Sequence, residues 1–185
     1  MNFTNKAKQI ALSFLREGDF VIDATCGNGH DTLFLSDTVG ESGCVFAFDI
    51  QQQAMESSKA LLEKSGKTPQ NVQFVLDSHA NLKSRLPEAV KGKINCAVFN
   101  LGYLPNSDKT VITGPQSTLK ALQSCLEVKA NRFLLSVLCY VGHEGGQGEY
   151  EAVRDFFAQN FAEFVEYSDE KNLQSPKLLL AKMGQ

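Results

Sequence analysis

Short apolar runs alternate with segments of helical periodicity along almost the whole chain. Apolar residues recur at helical spacing from Phe3 to Leu15, so an amphipathic helix is predicted before Gly18. Strand-length apolar runs and helical patterns then follow one another. The predicted strands cover residues 20–23, 44–49, 72–76, 94–100, 132–138, 163–167 and 177–182. The predicted helices between them cover residues 31–39, 51–64, 80–86, 116–126 and 149–160.

This alternation predicts the fold class. Strands that are apolar on both faces and alternate with helices indicate a mostly parallel sheet covered on each side. The last two strands are joined by roughly ten residues without a helical pattern, too few for a parallel crossover, so they are expected to pair antiparallel. The sequence therefore predicts one Rossmann-like α/β domain over residues 1–185. Its seven-stranded sheet ends in an antiparallel hairpin, which is the arrangement of class I methyltransferases.

The composition fits an ordinary globular protein, with 185 residues, 43% apolar and 21% charged, and excludes disordered and fibrous classes. No apolar run approaches the ~20 residues of a membrane span, and no signal peptide is recognisable at the start. We therefore expect a cytoplasmic protein that does not bind membranes. The five cysteines lack C-x-x-C spacing and the three histidines lack metal-ligand spacing, so reduced cysteines and no bound metal are predicted.

The net charge of -3 hides two oppositely charged segments. Residues 59–93, here called the basic flank, hold seven basic and three acidic residues, whereas residues 143–170 hold eight acidic residues and one base, Arg154. Both segments are compatible with solvated helical faces. The alternative is that the basic flank binds phosphates of a nucleic acid.

A glycine-rich turn follows the first strand, where residues 23–31 read D-A-T-C-G-N-G-H-D. Glycines let the backbone turn tightly and approach a ligand at the N-terminus of the next helix. Thr32 stands at the third glycine position of the NAD motif, and the carboxylates of Asp23 and Asp31 would repel a pyrophosphate. They favour a ligand with an ammonium and a sulfonium, such as S-adenosylmethionine. The candidate cofactor-binding residues of this turn are Asp23, Gly27, Asn28, Gly29, Asp31 and Thr32.

Polar residues also end the second and third strands. Asp49 is positioned to accept hydrogen bonds from both ribose hydroxyls, and Gln51 lies close to it in sequence. Ser78 and His79 follow the third strand, where the adenine is expected. A helix cap is the alternative interpretation of Asp49 and of the segment that contains Ser78 and His79.

The ends of the fourth and fifth strands carry candidates for the chemistry. Asn100-Leu-Gly-Tyr103 has the first and last residues of the N-P-P-Y pattern of amino-methylating enzymes, in which the amide holds the target nitrogen and the aromatic ring stacks on the substrate. A purely structural turn is the alternative. Tyr140 and His143 lie on a glycine-rich loop after the fifth strand, where the histidine could accept a proton near neutral pH. The candidate catalytic residues are thus Asn100, Tyr103, Tyr140 and His143, with Asn100 also contacting the cofactor.

Four motifs occur together and in order: D-A-T-x-G-N-G-H-D-T at 23–32, N-L-G-Y-L-P at 100–105, D-K with P-x-S-T at 108–109 and 115–118, and Y-x-G-H-x-G-G at 140–146. On these motifs the chain resembles the MnmM/YtqB family of small bacterial class I methyltransferases. That family is described as rRNA methylases and includes the tRNA 5-aminomethyl-2-thiouridine methyltransferase. The resemblance spans nearly the whole chain and departs at residues 172–176, where a second proline is expected before Pro176.

The resemblance implies methyl transfer from S-adenosylmethionine to the aminomethyl group of the wobble uridine, in the anticodon region of a tRNA. It implies cofactor contacts from Asn28, Asp31, Asp49, Gln51 and His79, and a substrate site built by Asn100, Tyr103, Tyr140 and His143. A domain this small offers limited room for tRNA, so a homodimer is also expected.

Other functions remain open at this point. An rRNA methyltransferase, or a small-molecule amine methyltransferase, which the acidic net charge favours, would use the same site. A non-catalytic module that binds S-adenosylmethionine or RNA is the alternative from another class. An NAD-dependent oxidoreductase is the most distant alternative.

Overall fold

The computed structural model describes residues 2–66, 70–102 and 113–184. Within these ranges, strands and helices alternate as the sequence predicts. The strands are β1 (Phe20–Asp23), β2 (Cys44–Asp49), β3 (Val72–Leu76), β4 (Ile94–Leu101), β5 (Lys129–Cys139), β6 (Val165–Tyr167) and β7 (Lys177–Met183). The helices are α1 (Phe3–Phe14), α2 (His30–Val39), α3 (Gln52–Lys64), α4 (Leu82–Arg85), α5 (Pro115–Val128) and α6 (Gly146–Asn160), with 3₁₀ turns at His79–Asn81 and Glu88–Val90.

The strands form one sheet in the order β3-β2-β1-β4-β5-β7-β6. The first five strands pair in parallel, whereas β7 pairs antiparallel with both β5 and β6. The predicted seven-stranded α/β sheet with a terminal antiparallel hairpin is therefore confirmed. The strand order reverses at β1, which lies between β2 and β4, and ligands of open α/β sheets bind beyond the carboxyl ends of the strands at such a point.

The predicted boundaries differ from the structure mainly at β5 and α6. β5 begins at Lys129 rather than at residue 132, because its pairing with β4 continues past a register irregularity into polar residues that carry no strand pattern. α6 begins at Gly146 rather than at residue 149. Its N-cap Gly145 adopts a left-handed conformation with φ 81°, and the glycines that permit this turn resemble a loop in the sequence.

The two faces of the sheet bury separate apolar clusters. α1 and α2 cover one face, where Leu15 and Leu35 pack against alternate residues of the central strands. α5 and α6 cover the other face, where Leu122 and Phe157 are fully buried. Burial on both sides explains why the central strands are almost continuously apolar, whereas the edge strands β3 and β6 keep exposed residues such as Leu76 and Val165.

An ion pair fastens the end of α1 to the sheet, at the edge opposite the carboxyl ends of the parallel strands. The guanidinium of Arg132 lies 2.6 Å from the carboxylate of Asp19 and donates a hydrogen bond of 2.7 Å to Phe14 O. Both charged side chains are largely buried. Each charge is the main compensation for the burial of the other. Removing one side chain would therefore leave the other charge buried and unpaired, which is destabilising.

The five cysteines form no disulfide bonds with one another in the structure, and all except the half-buried Cys44 lie in the core. None of the helices in the described ranges is long and apolar enough to cross a membrane. The same residues hold no group of three or more His, Cys, Asp or Glu side chains arranged to bind a metal ion.

Candidate functional site

A cavity of about 510 Å³ opens at the carboxyl ends of the central parallel strands. Residues distant in sequence meet there because parallel strands end at the same edge of a sheet. Of the residues predicted from the sequence, the cavity is lined by Gly27, Asn28, Asp31, Asp49, Gln51, Ser78, His79, Asn100, Tyr140 and His143. Asp23, Gly29 and Thr32 are buried and are not among the lining residues. Tyr103 lies outside the described residues.

The glycine-rich turn between β1 and α2 is fixed to the end of β2. Gly27 N–H donates to Asp49 Oδ2 at 2.9 Å, and the other oxygen of Asp49 accepts from Gln51 N–H at 2.9 Å. Gly29 has φ 83°, and a β-carbon at this position would lie 2.7 Å from the backbone of Ser58. Gly29 therefore serves the tight turn and the close approach of α3, while Gly27 faces the cavity.

Asp23 is fully buried at the end of β1. Its Oδ2 accepts a hydrogen bond of 2.6 Å from the Thr32 hydroxyl, and its Oδ1 accepts one of 3.3 Å from Thr25 N–H. The pKa of Asp23 is raised to about 7, mainly by burial and to a smaller extent by the negative charge of Asp31. Asp23 thus carries only part of a full charge near neutral pH. The carboxylates that line the cavity are those of Asp31, Asp49 and Asp77, rather than those of Asp23 and Asp31 as the sequence indicated.

His79 brings a hydrogen-bond acceptor to the part of the cavity beyond β3. Its Nδ1 lies 3.3 Å from Ala24 O, so the proton of the neutral ring belongs on Nδ1 and Nε2 becomes an acceptor. Nε2 is buried and has no hydrogen-bond partner among the described residues. Burial lowers the pKa of His79, which favours this neutral form. A ligand with an N–H group would satisfy Nε2.

Asp77 and Ser78 continue the same wall. A hydrogen bond from Asn81 and then one from Arg85 lower the pKa of Asp77, so this carboxylate stays ionised. Ser78 caps the 3₁₀ turn, since its hydroxyl accepts from Ala80 N–H at 3.2 Å. Ser78 therefore has both a capping contact and a position on the cavity wall, the two interpretations that the sequence left open.

Asn100 lies at the end of β4 with its polar groups held by two neighbours. Its backbone N–H donates to Thr25 Oγ1 at 2.7 Å, and its side-chain Nδ2 donates to Asp31 Oδ2 at 2.8 Å. Asp31 in turn forms an ion pair of 2.8 Å with Lys8 of α1. One N–H of the amide is thus engaged by Asp31, and the carbonyl oxygen Oδ1 is an acceptor that Asn100 can offer to a ligand.

The loop after β5 brings Tyr140 and His143 beside Gly102, at the end of β4. His143 Nδ1 lies 2.9 Å from Glu144 O, and the ring packs against two glycines. A β-carbon on Gly146 would lie 2.5 Å from Tyr140 O and 3.0 Å from His143 Nε2, so only glycine fits this position without a shift of the loop. A β-carbon on Gly102, which follows Asn100 closely in sequence, would lie 3.6 Å from the same nitrogen.

The sequence did not reveal several residues of the site. Thr4 of α1, together with Thr113 and Gln174, also lines the cavity. Glu149, buried behind the cavity, accepts hydrogen bonds of 2.7 Å from the hydroxyls of Thr113 and Thr118. A single sequence carries no sign that Glu149 differs from the other acids of its helix, and Thr4 belongs to a helix without any motif.

The structure changes the picture of the basic flank. Three of its bases form ion pairs: Lys83 with Glu127, Arg85 with Asp77, and Lys91 with Glu88. The exposed Lys59, Lys64 and Lys93 add positive charge to this surface. The positive charge available to a phosphate is therefore smaller than the sequence count, because much of it is neutralised within the protein.

The sheet order, the antiparallel seventh strand and the glycine-turn cavity define the fold of a class I S-adenosylmethionine-dependent methyltransferase. Residues 45–181 match the family described as "Putative rRNA methylase", and the chain belongs to this family. The family resemblance that the motifs indicate is thereby confirmed.

Known proteins similar to this chain include solved structures and a plant enzyme. The crystal structure of a "putative rRNA-methylase" from Clostridium thermocellum is 31% identical, with a TM-score of 0.90 over 99% of this chain and 98% of that one. A "putative methyltransferase" from Streptococcus mutans, solved in complex with SAH, is 31% identical, with a TM-score of 0.84 over 97% of each chain. The chloroplastic tRNA (mnm(5)s(2)U34)-methyltransferase of Arabidopsis thaliana is 39% identical over 149 residues. That match covers 77% of this chain and 54% of the plant protein, so the chain spans about half the length of this curated relative.

Proposed function

We propose that this protein is an S-adenosylmethionine-dependent N-methyltransferase that acts on the wobble uridine of tRNA, converting 5-aminomethyl-2-thiouridine into 5-methylaminomethyl-2-thiouridine. The observation that carries the proposal is the Asn100 amide, which Asp31 holds through Nδ2 and whose carbonyl oxygen Oδ1 can accept the N–H of an amine. The name of the 39% identical plant enzyme supports the choice of nucleoside, and the SAH complex of the Streptococcus mutans relative supports the cofactor.

The cavity fits the cofactor because it combines anionic and unsatisfied polar groups. Asp49 lies where a carboxylate accepts ribose hydroxyls, and the buried Nε2 of His79 lacks a donor that an adenine amino group could supply. Asp31, with Asn28 beside it, is the anionic group for the methionine part. We assign the adenine end to Ser78 and His79, the ribose to Asp49 and Gln51, and the methionine end to Gly27, Asn28 and Asp31.

When bound, S-adenosylmethionine supplies a methyl group that its sulfonium already activates. The task of the protein is then alignment, and well-oriented reactants reach effective molarities of about 10⁵ to 10⁸ M. Asn100 Oδ1 accepts one N–H of the neutral amine, which directs the nitrogen lone pair. The amine lone pair forms the new C–N bond as the C–S bond breaks. The electron pair of the broken C–S bond stays on sulfur. The excess proton on nitrogen passes to water or to His143.

The remaining assignments concern the substrate and the assembly. Tyr103 is assigned to stack on the uracil ring, and Tyr140, which lines the cavity, is assigned to the surroundings of the aminomethyl nitrogen. Exposed lysines of the basic flank are candidates for backbone phosphates of the anticodon region, and a homodimer would enlarge the surface available to tRNA. These parts of the proposal rest on the sequence resemblance and on the size of the domain.

The decisive experiment is mass spectrometry of nucleosides from the tRNA of cells that lack this protein. The expected result is loss of 5-methylaminomethyl-2-thiouridine and accumulation of its aminomethyl precursor, reversed by the wild-type gene. A methyl group missing only from rRNA would replace the tRNA substrate by an rRNA substrate. Unaltered tRNA and rRNA would contradict an RNA substrate and lead to small amines.

Salt dependence separates the RNA substrate from a small amine. Neutralised phosphates release counterions, so KM for tRNA is expected to rise steeply with salt, with a slope set by the number of contacted phosphates. A small amine has no such dependence. Steady-state kinetics at salt concentrations from about 50 to about 200 mM, a range in which the affinity of proteins for nucleic acids changes strongly, would compare KM for the two kinds of substrate.

A further inference from the structure

A chain of three polar side chains connects α1 to the acceptor end of the cavity. Lys8 Nζ lies 2.8 Å from Asp31 Oδ1, and the other oxygen of Asp31 accepts a hydrogen bond of 2.8 Å from Asn100 Nδ2. Lys8 Nζ also donates a hydrogen bond of 3.2 Å to His30 O, and it lies over the Phe34 ring at 5.4 Å from the ring centre. Four contacts thus hold this chain in one arrangement.

The chain gives the Asn100 amide a direction. A carboxylate only accepts hydrogen bonds, so Asp31 selects the NH₂ end of the amide and turns Oδ1 away from itself. An amide without this partner can present either end to a ligand. With the NH₂ end outward, it would donate to the amine nitrogen and occupy the lone pair that must attack the methyl group.

Lys8 determines whether the Asp31 carboxylate stays in place to hold the Asn100 amide in this orientation. The Asp31 side chain is 16% exposed and that of Lys8 27% exposed, so the pair is shielded from water more than a surface pair. Asp31 also lies near Asp23, whose pKa responds to its charge. Without a cation at Oδ1, the carboxylate would be free to turn toward water and away from Asn100.

We propose that Lys8 of α1 is a positioning residue for methyl transfer: through Asp31 it orients the Asn100 amide so that Oδ1 faces the acceptor nitrogen. The inference rests on the proposed function for its acceptor, but the contacts that carry it are independent of the substrate. It makes α1 a part of the reactive centre in addition to a cover for the sheet.

The test compares Lys8→Met with Lys8→Arg and with the matched control Lys6→Met. Methionine keeps an unbranched apolar side chain and removes the ammonium, whereas arginine retains a cation for Asp31. Lys6 is on the same helix, but its ammonium lies over the Tyr167 ring at 5.2 Å instead of at the site. We expect kcat on tRNA to fall roughly 10- to 100-fold in Lys8→Met, the range expected from a small misplacement of a reacting group. Lys8→Arg should recover most of the rate, and Lys6→Met should retain it.

Two further measurements separate positioning from a general structural effect. Calorimetry should give an SAH affinity for Lys8→Met no more than about threefold weaker than wild type, as for a substitution that leaves the fold intact. In a double-mutant cycle, Lys8→Met should add little to the loss already caused by Asn100→Ala, because both act through the same amide. Additive losses, or a wild-type rate in Lys8→Met, would overturn the proposal.

A readout independent of activity keeps the inference testable if the acceptor is another molecule. The side-chain amide signal of Asn100 in a ¹⁵N-correlated NMR spectrum is assigned by its disappearance in Asn100→Ala. It should shift in Lys8→Met and stay in place in Lys6→Met. An unmoved signal in Lys8→Met would refute the positioning proposal. Inactivity of the wild-type enzyme on aminomethyl-modified tRNA would instead refute only the proposed function.

Discussion

At the scale of single residues, Asn100 has its nitrogen held by Asp31 and its backbone N–H held by Thr25, which leaves one oxygen for a ligand. An oxygen acceptor at this place suits an amine, which donates one N–H while its lone pair points elsewhere. A substrate without a donor would leave this acceptor unsatisfied. The partners of this amide thus favour a substrate group that carries a donor hydrogen, as the proposed aminomethyl group does.

Asn100→Ala tests this directly. We expect the rate of methyl transfer to fall about 100-fold or more, since the amine loses the group that orients it, while SAH affinity changes much less. Single-turnover kinetics with a radiolabelled methyl donor measure the first quantity and calorimetry measures the second. Asn160→Ala, which removes an amide that bonds Phe156 O at the end of α6, is the matched control. A wild-type rate in Asn100→Ala would remove the site assignment.

Asp23 gives a second prediction, because its pKa of about 7 in the folded protein exceeds its ordinary value of 3.8. Between these values the folded protein keeps a proton that the unfolded chain has lost, so stability falls as pH rises from 4 to 7. The loss is at most about 4 kcal/mol, at about 1.4 kcal/mol per pKa unit. Asp23→Asn removes this ionisation, so its stability relative to wild type should increase over that range and level off above it.

Urea unfolding of both proteins at several pH values measures the difference. Asp155→Asn, at an exposed position on α6, controls for the loss of a carboxylate in general. A difference between Asp23→Asn and wild type that stays constant from pH 4 to 8 would contradict the raised pKa of Asp23.

At the scale of elements, α1 has two attachments with different consequences. Lys8 connects it to the site, while its last residues are fastened by Arg132 at the opposite edge of the sheet. Thr4 also reaches the cavity from the first turn. A helix without any sequence motif therefore affects both stability and chemistry, and substitutions should separate the two.

Arg132→Met should destabilise the fold without touching the site. Asp19 would remain buried without its cation, at a cost of about 3 kcal/mol, which lowers Tm by roughly 6 to 12 °C for a domain of this size. Calorimetric melting is the measurement, and kcat at a temperature where the variant is folded should equal that of wild type. Arg154→Met, which breaks an exposed pair of 3.4 Å with Glu166, should lower Tm far less. Equal shifts in both variants would refute the account of the Asp19–Arg132 pair.

The order of elements could be predicted from the sequence because helical and strand periodicities differ and the strands are apolar on both faces. β2 and β3 have the predicted bounds, since every residue except Asp49 in β2 and Gln73 in β3 is apolar. The starts of β5 and α6 could not be predicted. Their first residues are polar or glycine, and only pairing with β4 and the turn at Gly145 make them regular.

At the scale of the whole molecule, the position of the site could also be predicted, because residues after parallel strands must meet at one edge. The donors and acceptors that pair with one another at the site could not be predicted from the sequence. Asp23 and Asp31 look alike in the sequence, yet one is buried beneath the turn and the other lines the cavity. The contributions of Lys8, Thr4 and Glu149 depend on contacts between segments far apart in the chain, which periodicity and motifs do not encode.

The antiparallel direction of β7 separates the two ends of the described chain. β7 leaves the cavity edge at Lys177, so Gly184 emerges on the far side, roughly 20 Å away at ~3.4 Å per strand residue. Asn2, in contrast, caps α1 beside Thr4 at the mouth of the cavity. A purification tag or surface anchor joined after Gly184 leaves the mouth clear for the RNA ligand of the proposed function. A small fluorophore attached near Asn2 would instead be positioned to report when that ligand arrives.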